Sequence, residues 1–252
     1  MSNYILVHGS GHGSWCWERV TPLLEEMGHK VTAVDLPGNG HDDTPLADVT
    51  LETYAESVTG VLDAQDGPAV LVGHSLGGLS ISRAAEMRPD KVAVLVYLAA
   101  VMLQDGEIFM PPASSDPADV RRVLETRTTW TIADDLSHVV HKPEFSPRRF
   151  YNNCTREDVA WALTKLAPQP VGPLVSPMRI SDENHGRVPR VFIECSMDNA
   201  VPPERCREMY TALPCAEVIV MDTDHSPFLN MPEELARHLD GARRHARVSL
   251  PA

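Results

Sequence analysis

The amino-acid sequence predicts an α/β fold: a mostly parallel, doubly wound sheet of about six strands. Three observations carry that prediction. Six short runs rich in Val, Ile and Leu recur without polar alternation, the pattern of strands covered on both faces. Helical patterns separate most of them, as strand–helix–strand units require. One long stretch, from about Met102 to Asn184, breaks the rhythm and reads as an insertion.

The first strand falls at Tyr4–Val7 and breaks into the glycine-containing "HGSGHGSW", after which Trp15–Met27 carries a helical pattern. Lys30–Val34 is the second strand and Leu51–Ala64 the next helix. Ala69–Val72 is the third strand, followed by a helix over Leu76–Met87 and a fourth strand over Val92–Leu98. Beyond the insertion come strands at Arg190–Cys195 and Glu217–Met221, with helices at Pro203–Ala212 and Glu233–Ala242. The terminal "ARRHAR" suits the cationic end of that last helix. The insertion shows no strand pattern but is rich in prolines and aromatics. It is too long for a structureless loop in a compact domain, so helices are expected within it, for example at Pro147–Asn152 and Thr155–Lys165. The predicted division is a core of residues 1–101 and 185–252 and a helical cap of residues 102–184 over the carboxyl ends of the strands.

The 252 residues, 43% hydrophobic and 23% charged, suit one large domain or one domain with an insertion. Against 35 acidic residues stand 22 basic ones, a formal charge of −13. Such a surface repels phosphate backbones and anionic lipid heads, which argues against nucleic acid or a membrane as partner. The cysteines Cys16, Cys154, Cys195, Cys206 and Cys215 form no CxxC pair and no zinc-ligand spacing, so no metal site is expected. A strand that starts within a few residues leaves no room for a secretory leader, and no run approaches the ~20 apolar residues of a membrane span. A cytoplasmic protein is the expectation.

The chemistry concentrates in "AVLVGHSLGG", Ala69 to Gly78. Gly73-His74-Ser75-Leu76-Gly77 fits G-x-S-x-G between a strand and a helix, the context in which a serine is held on a strained turn as a nucleophile. A serine hydroxyl needs a base, and the base needs an acid to orient it. In this arrangement they follow in the order Ser, Asp/Glu, His after later strands. Asp198 follows "RVFIECS" and takes the acid position, while His225 in "DTDHSPF" takes the base position. Asp222 and Asp224 lie close to His225 and are alternative orienters, although their place suits side-chain bonds that shape the turn. The backbone N–H of Leu76 is one expected oxyanion donor, and the N–H of Ser10, in the loop after the first strand, is the other. Gly9, Gly11 and Asp35 also suggest a dinucleotide turn. That reading fails because the third glycine of the motif falls on Ser14.

"VHGSGHGSWCWERVTPLLEEMGHKVTAVDLPGNG", "GHSLGG", "VYLAAVM", "FYNNCTREDVAWAL" and "DHSPFLNMPEEL" closely resemble the small α/β-hydrolases that include plant methylesterases and hydroxynitrile lyases. The resemblance runs from about Tyr4 to Leu239. It implies an α/β-hydrolase fold with Ser75 as nucleophile, His225 as base, Asp198 as its partner and the N–H groups of Ser10 and Leu76 as the oxyanion hole. It also implies a homodimer, and it matches Trp130 to a pocket-lining cap tryptophan, though cap packing explains that residue equally well. The lyases of the group place a lysine directly after the histidine and a threonine in the first oxyanion loop. Here those positions hold Ser226 and Ser10, which favours ester hydrolysis.

The expected protein is therefore a cofactor-independent serine esterase acting on small-molecule carboxylic esters, methyl or aryl esters among them. His12, Met102, Met110, Trp130, Phe150 and Leu163 are candidates to line its pocket, and Leu76 to shape the acyl site. Cyanohydrin cleavage, a lactonase, thioesterase, amidase or carbamate hydrolase with the same triad, and a non-catalytic receptor on the same scaffold are the alternatives. Pocket shape rather than the triad chooses among the leaving groups.

Overall fold

The structure, a computed structural model, describes residues 1–246. Its nine strands are β1 (Asn3–Val7), β2 (Lys30–Val34), β3 (Ala69–His74), β4 (Val92–Leu98), β5 (Trp130–Ile132), β6 (His138–His141), β7 (Gln169–Pro170), β8 (Arg190–Cys195) and β9 (Glu217–Met221). Six form one sheet in the order β2-β1-β3-β4-β8-β9, with every neighbouring pair parallel. The six strands read from the sequence are these six.

Alternate residues of the central strands enter two separate cores. Ile5, Leu71, Leu95 and Phe192 pack on one face, and Tyr4, Leu6, Val70, Val72 and Ile193 on the other. Burial of both faces explains the missing polar alternation. At β9, the sheet edge, the rule lapses: Val218 and Val220 are exposed.

The helices, in order, are α1 (Thr21–Glu26), α2 (Leu51–Asp63), α3 (Gly77–Met87), α4 (Pro117–Glu125), α5 (Ser146–Phe150), α6 (Arg156–Leu163), α7 (Gly172–Val175), α8 (Pro203–Ala212), α9 (Pro227–Asn230) and α10 (Pro232–Ala242). Thr50 and Thr53 close a reciprocal cap on α2, satisfying N–H groups that no helical turn reaches. The pattern over Trp15–Met27 divides into a 3-10 turn, Ser14–Trp17, and α1, which restarts at Pro22 near its first position. Of the basic terminal stretch, Arg243 pairs with Asp240, and Arg244 and His245 with Glu217; Arg247 lies outside the described residues. No helix among the described residues is long and apolar enough to cross a membrane.

The segment between β4 and β8 departs from the sequence reading. Besides α5 and α6, which fall where helices were expected, it holds α4 and a three-stranded antiparallel sheet, β5-β6-β7. Strands of three, four and two residues are too short to show a period. β5 and β6 form a local hairpin, and β7 joins it from later in the chain.

Candidate active site

Ser75 follows β3 directly and begins the turn into α3. Its φ is +53°, a left-handed value that costs a non-glycine residue energy and persists only where the surroundings enforce it. Here its N–H donates to Leu98 O (3.1 Å), while its carbonyl accepts from Gly78 N (3.1 Å) and Val101 N (2.9 Å). The flanking glycines are needed for close approach. A Cβ on Gly77 would lie 2.5 Å from His8 O, and one on Gly73 would lie 2.8 Å from Gly77 O.

The acid and base sit on adjacent loops after β8 and β9, which are stitched together by Ser196 N to Met221 O and Met197 N to Thr223 O (each 2.9 Å). His225 Nδ1 donates to Asp198 Oδ2 at 2.7 Å, and both residues are buried. Asp198 Oδ1 accepts from Ala200 N (2.6 Å) and Val201 N (2.9 Å), which fixes the carboxylate. The alternative acids are engaged elsewhere: Asp222 accepts from Ser196 Oγ (2.7 Å), and Asp224 accepts from Asn153 N (2.6 Å), Ser226 N (3.0 Å) and Asn230 Nδ2 (3.1 Å). His225 Nε2 is buried without a partner. The His225 ring packs against that of His74, the residue before Ser75, at 4.5 Å between centroids, and His74 Nε2 donates to His225 O (2.9 Å).

The loop after β1 turns through His12 N to Gly9 O (3.2 Å), with Gly11 at φ +67°. A Cβ on Gly9 would lie 2.6 Å from Ser75 Cβ, so the loop is pressed against the serine. Among the described residues neither the N–H of Ser10 nor that of Leu76 has a hydrogen-bond acceptor, which leaves both donors free. Asp35 is structural, accepting from Ser14 N (2.6 Å) and from both the N–H (3.2 Å) and Nδ1 (3.1 Å) of His41.

A narrow cavity at Ser75, Ser10 and Leu76 is lined also by Trp130, His141, Arg149 and Phe150. Of the expected lining residues, Trp130 and Phe150 are in place and the other four lie elsewhere. Met102 and Met110 are buried in the core, with Met110 N bonded to Leu174 O (2.9 Å). Leu163 is half-buried on α6. His12 lies behind the glycine loop, where Nδ1 donates to Ser10 O (2.8 Å) and Nε2 accepts from Tyr151 Oη (2.8 Å). His141 and Arg149 are not among the lining residues expected from the sequence, which apart from His12 are apolar. The available signal was an arginine directly before Phe150.

Burial dominates the electrostatics. It lowers His12 and His141 to about 3 and holds His8 and His74 below the usual imidazole range, because an uncompensated charge is disfavoured in a dry interior. These rings are neutral at neutral pH. Burial also lowers Arg149, to about 10, with Arg127 adding repulsion, so Arg149 keeps its charge there.

A parallel six-stranded sheet with a strained serine at the tip of its third strand defines an α/β hydrolase. The alpha/beta hydrolase family model matches residues 4–238, and the chain belongs to that family. It is 38% identical over 246 residues to Methylesterase 1 of Arabidopsis thaliana, covering 93% of each protein. Among solved structures it is similar to a methylesterase from Arabidopsis (29% identity, TM-score 0.80, 96% and 98% of the two chains). It is also similar to a pyrethroid hydrolase from Sphingobium faniae (29% identity, TM-score 0.82, 96% and 97%).

Proposed function

We propose that the protein is a serine esterase that hydrolyses small carboxylic esters, methyl or aryl esters, through an acyl-enzyme. The observation that carries this reading is the Asp198–His225 pair, whose free Nε2 belongs to an imidazole packed against His74, the residue before the strained Ser75. His225 Nε2 takes the Ser75 proton as Oγ attacks the ester carbonyl. Asp198 holds the proton on Nδ1, fixes the tautomer and stabilises the imidazolium. The developing oxyanion accepts from the N–H groups of Ser10 and Leu76, each typically worth ~3 kcal/mol of barrier. His225 then gives its proton to the departing alkoxide, which leaves as the alcohol. Water, deprotonated by His225, attacks the acyl carbonyl and frees the acid, and the proton returns to Ser75. The segment between β4 and β8 acts as a cap, closing the acyl site against bulk water.

Ester hydrolysis is favoured over cyanohydrin cleavage because Ser226, after His225, supplies no cation for departing cyanide. Methylesterase names among the relatives support the same substrate class. Cytoplasmic residence belongs to the proposal, supported by five free cysteines. The test is hydrolysis of p-nitrophenyl acetate and butyrate by wild type and Ser75→Ala. Turnover lost in the variant supports the reading, and turnover that survives overturns it.

A further inference from the structure

The cavity wall supplied by the segment between β4 and β8 carries polar groups that esterase chemistry alone does not use. Arg149 is the one cationic side chain among the cavity's lining residues. No carboxylate among the described residues pairs with it, although acidic residues outnumber basic ones by 35 to 22. Its one hydrogen bond is long, Nη1 to Thr129 Oγ1 at 3.4 Å, and its Nε is buried with no partner. The guanidinium lies over the Phe150 ring, 5.5 Å from the centroid, which holds it at the cavity edge and leaves donors unused.

Two neighbours share this incompleteness. Trp130, 6% exposed, has Nε1 buried without an acceptor, and His141, 7% exposed, has Nδ1 buried without a partner. His141 Nε2 is taken by Ser10 Oγ at 2.9 Å. With the hydroxyl donating there, Nδ1 carries the ring proton and is a further donor. Buried donors left unpaired cost free energy that a bound acceptor recovers. Three such residues around one cavity, one of them charged, describe a receptor for an anion with several acceptor oxygens.

Arg149 also lines a second groove, with Thr129, Glu144, Phe145, Arg148 and Asn199. It therefore stands between the inner cavity and the outer groove.

We propose that the preferred ester carries a second, ionised carboxylate, bound by Arg149 with Trp130 and His141 while the scissile carbonyl sits at Ser75. The class is the monoester of a dicarboxylic acid. This rests on the esterase reading above and names its substrate.

The experiment compares monomethyl glutarate and monomethyl phthalate with their dimethyl esters. Wild type is expected to show a kcat/KM about 10-fold or more higher for the monoanions. Arg149→Gln should lower kcat/KM for the monoanions by about 10–100-fold, mostly through KM, as loss of charged hydrogen bonds implies, and change the dimethyl esters less than about 3-fold. Arg149→Lys should recover part of the loss. Equal losses on both ester types, or a wild-type preference for the diesters, would overturn the proposal. Calorimetric binding of monomethyl glutarate to Ser75→Ala, with and without Arg149→Gln, reads the anion site without turnover. Binding that needs Arg149 supports the site even if hydrolysis fails, and binding that ignores Arg149 overturns it while the esterase reading stands.

Discussion

At Ser75 the backbone is held at φ +53° by hydrogen bonds from its own N–H to Leu98 and to its carbonyl from Gly78 and Val101. Strain of this kind, worth about 1–3 kcal/mol, is maintained at functional sites by surroundings that over-determine the geometry. The same over-determination marks Asp198, whose two oxygens accept from His225 and from two backbone N–H groups. Asp198→Asn is expected to cut kcat about 10⁴-fold by favouring the wrong imidazole tautomer. Asp222→Asn, at an exposed residue whose side chain accepts from Ser196 Oγ, should stay within about 3-fold of wild type, given the small effect typical of surface changes. Steady-state kinetics on one p-nitrophenyl ester read both, and a reversed order would reassign the orienting acid.

Asp224 joins elements rather than residues. Buried in the loop after β9, it accepts from the N–H of Asn153, after α5, and from Asn230 at the end of α9. Asn152 Nδ2 reaches Met197 O (3.1 Å), and Asn199 Nδ2 reaches Arg148 O (3.0 Å). The loops that carry Asp198 and His225 are thus bonded to the segment above them. Asp224→Ala leaves these donors unpaired and should destabilise the fold by about 1–3 kcal/mol. Amide hydrogen exchange at Asn153 should accelerate; unchanged protection there would show that Asp224 does not secure the segment. The six parallel strands were legible in the sequence because each is long enough to be apolar through both faces. Ser75, Asp198 and His225 stand out as candidates in the sequence because each follows such a strand. β5, β6 and β7 were not legible, since a strand of two to four residues has no period to read. His141 and Arg149 were missed for a related reason: their place in the cavity depends on how that short sheet folds back.

His8, His12, His74, His141 and His185 are buried, and burial favours their neutral form. His8 donates to Gly9 O and accepts from Leu36 N, and His185 shares a bond with Tyr97 Oη. Burial lowers His185 to about 4, His12 and His141 to about 3, and holds His8 and His74 below the ordinary value. The unfolded chain takes up protons near the ordinary 6.5, whereas the fold resists them until lower pH, about 4 at His185 and about 3 at His12 and His141. Stability is therefore complete above about pH 6.5 and falls as the pH drops toward 4, by up to ~1.4 kcal/mol per unit for each such ring. Thermal melts should show a lower Tm at pH 5 than at pH 7, by about 2–4 °C for each kcal/mol lost. An unchanged Tm would mean that these rings accept protons in the folded state.

The most direct test of a Ser75-centred triad is covalent labelling by a serine-directed fluorophosphonate, with the modified peptide located by mass spectrometry. One adduct is predicted, on Ser75, absent in Ser75→Ala and much slower to form in His225→Ala. An adduct on another serine, or none on a folded protein, would contradict it.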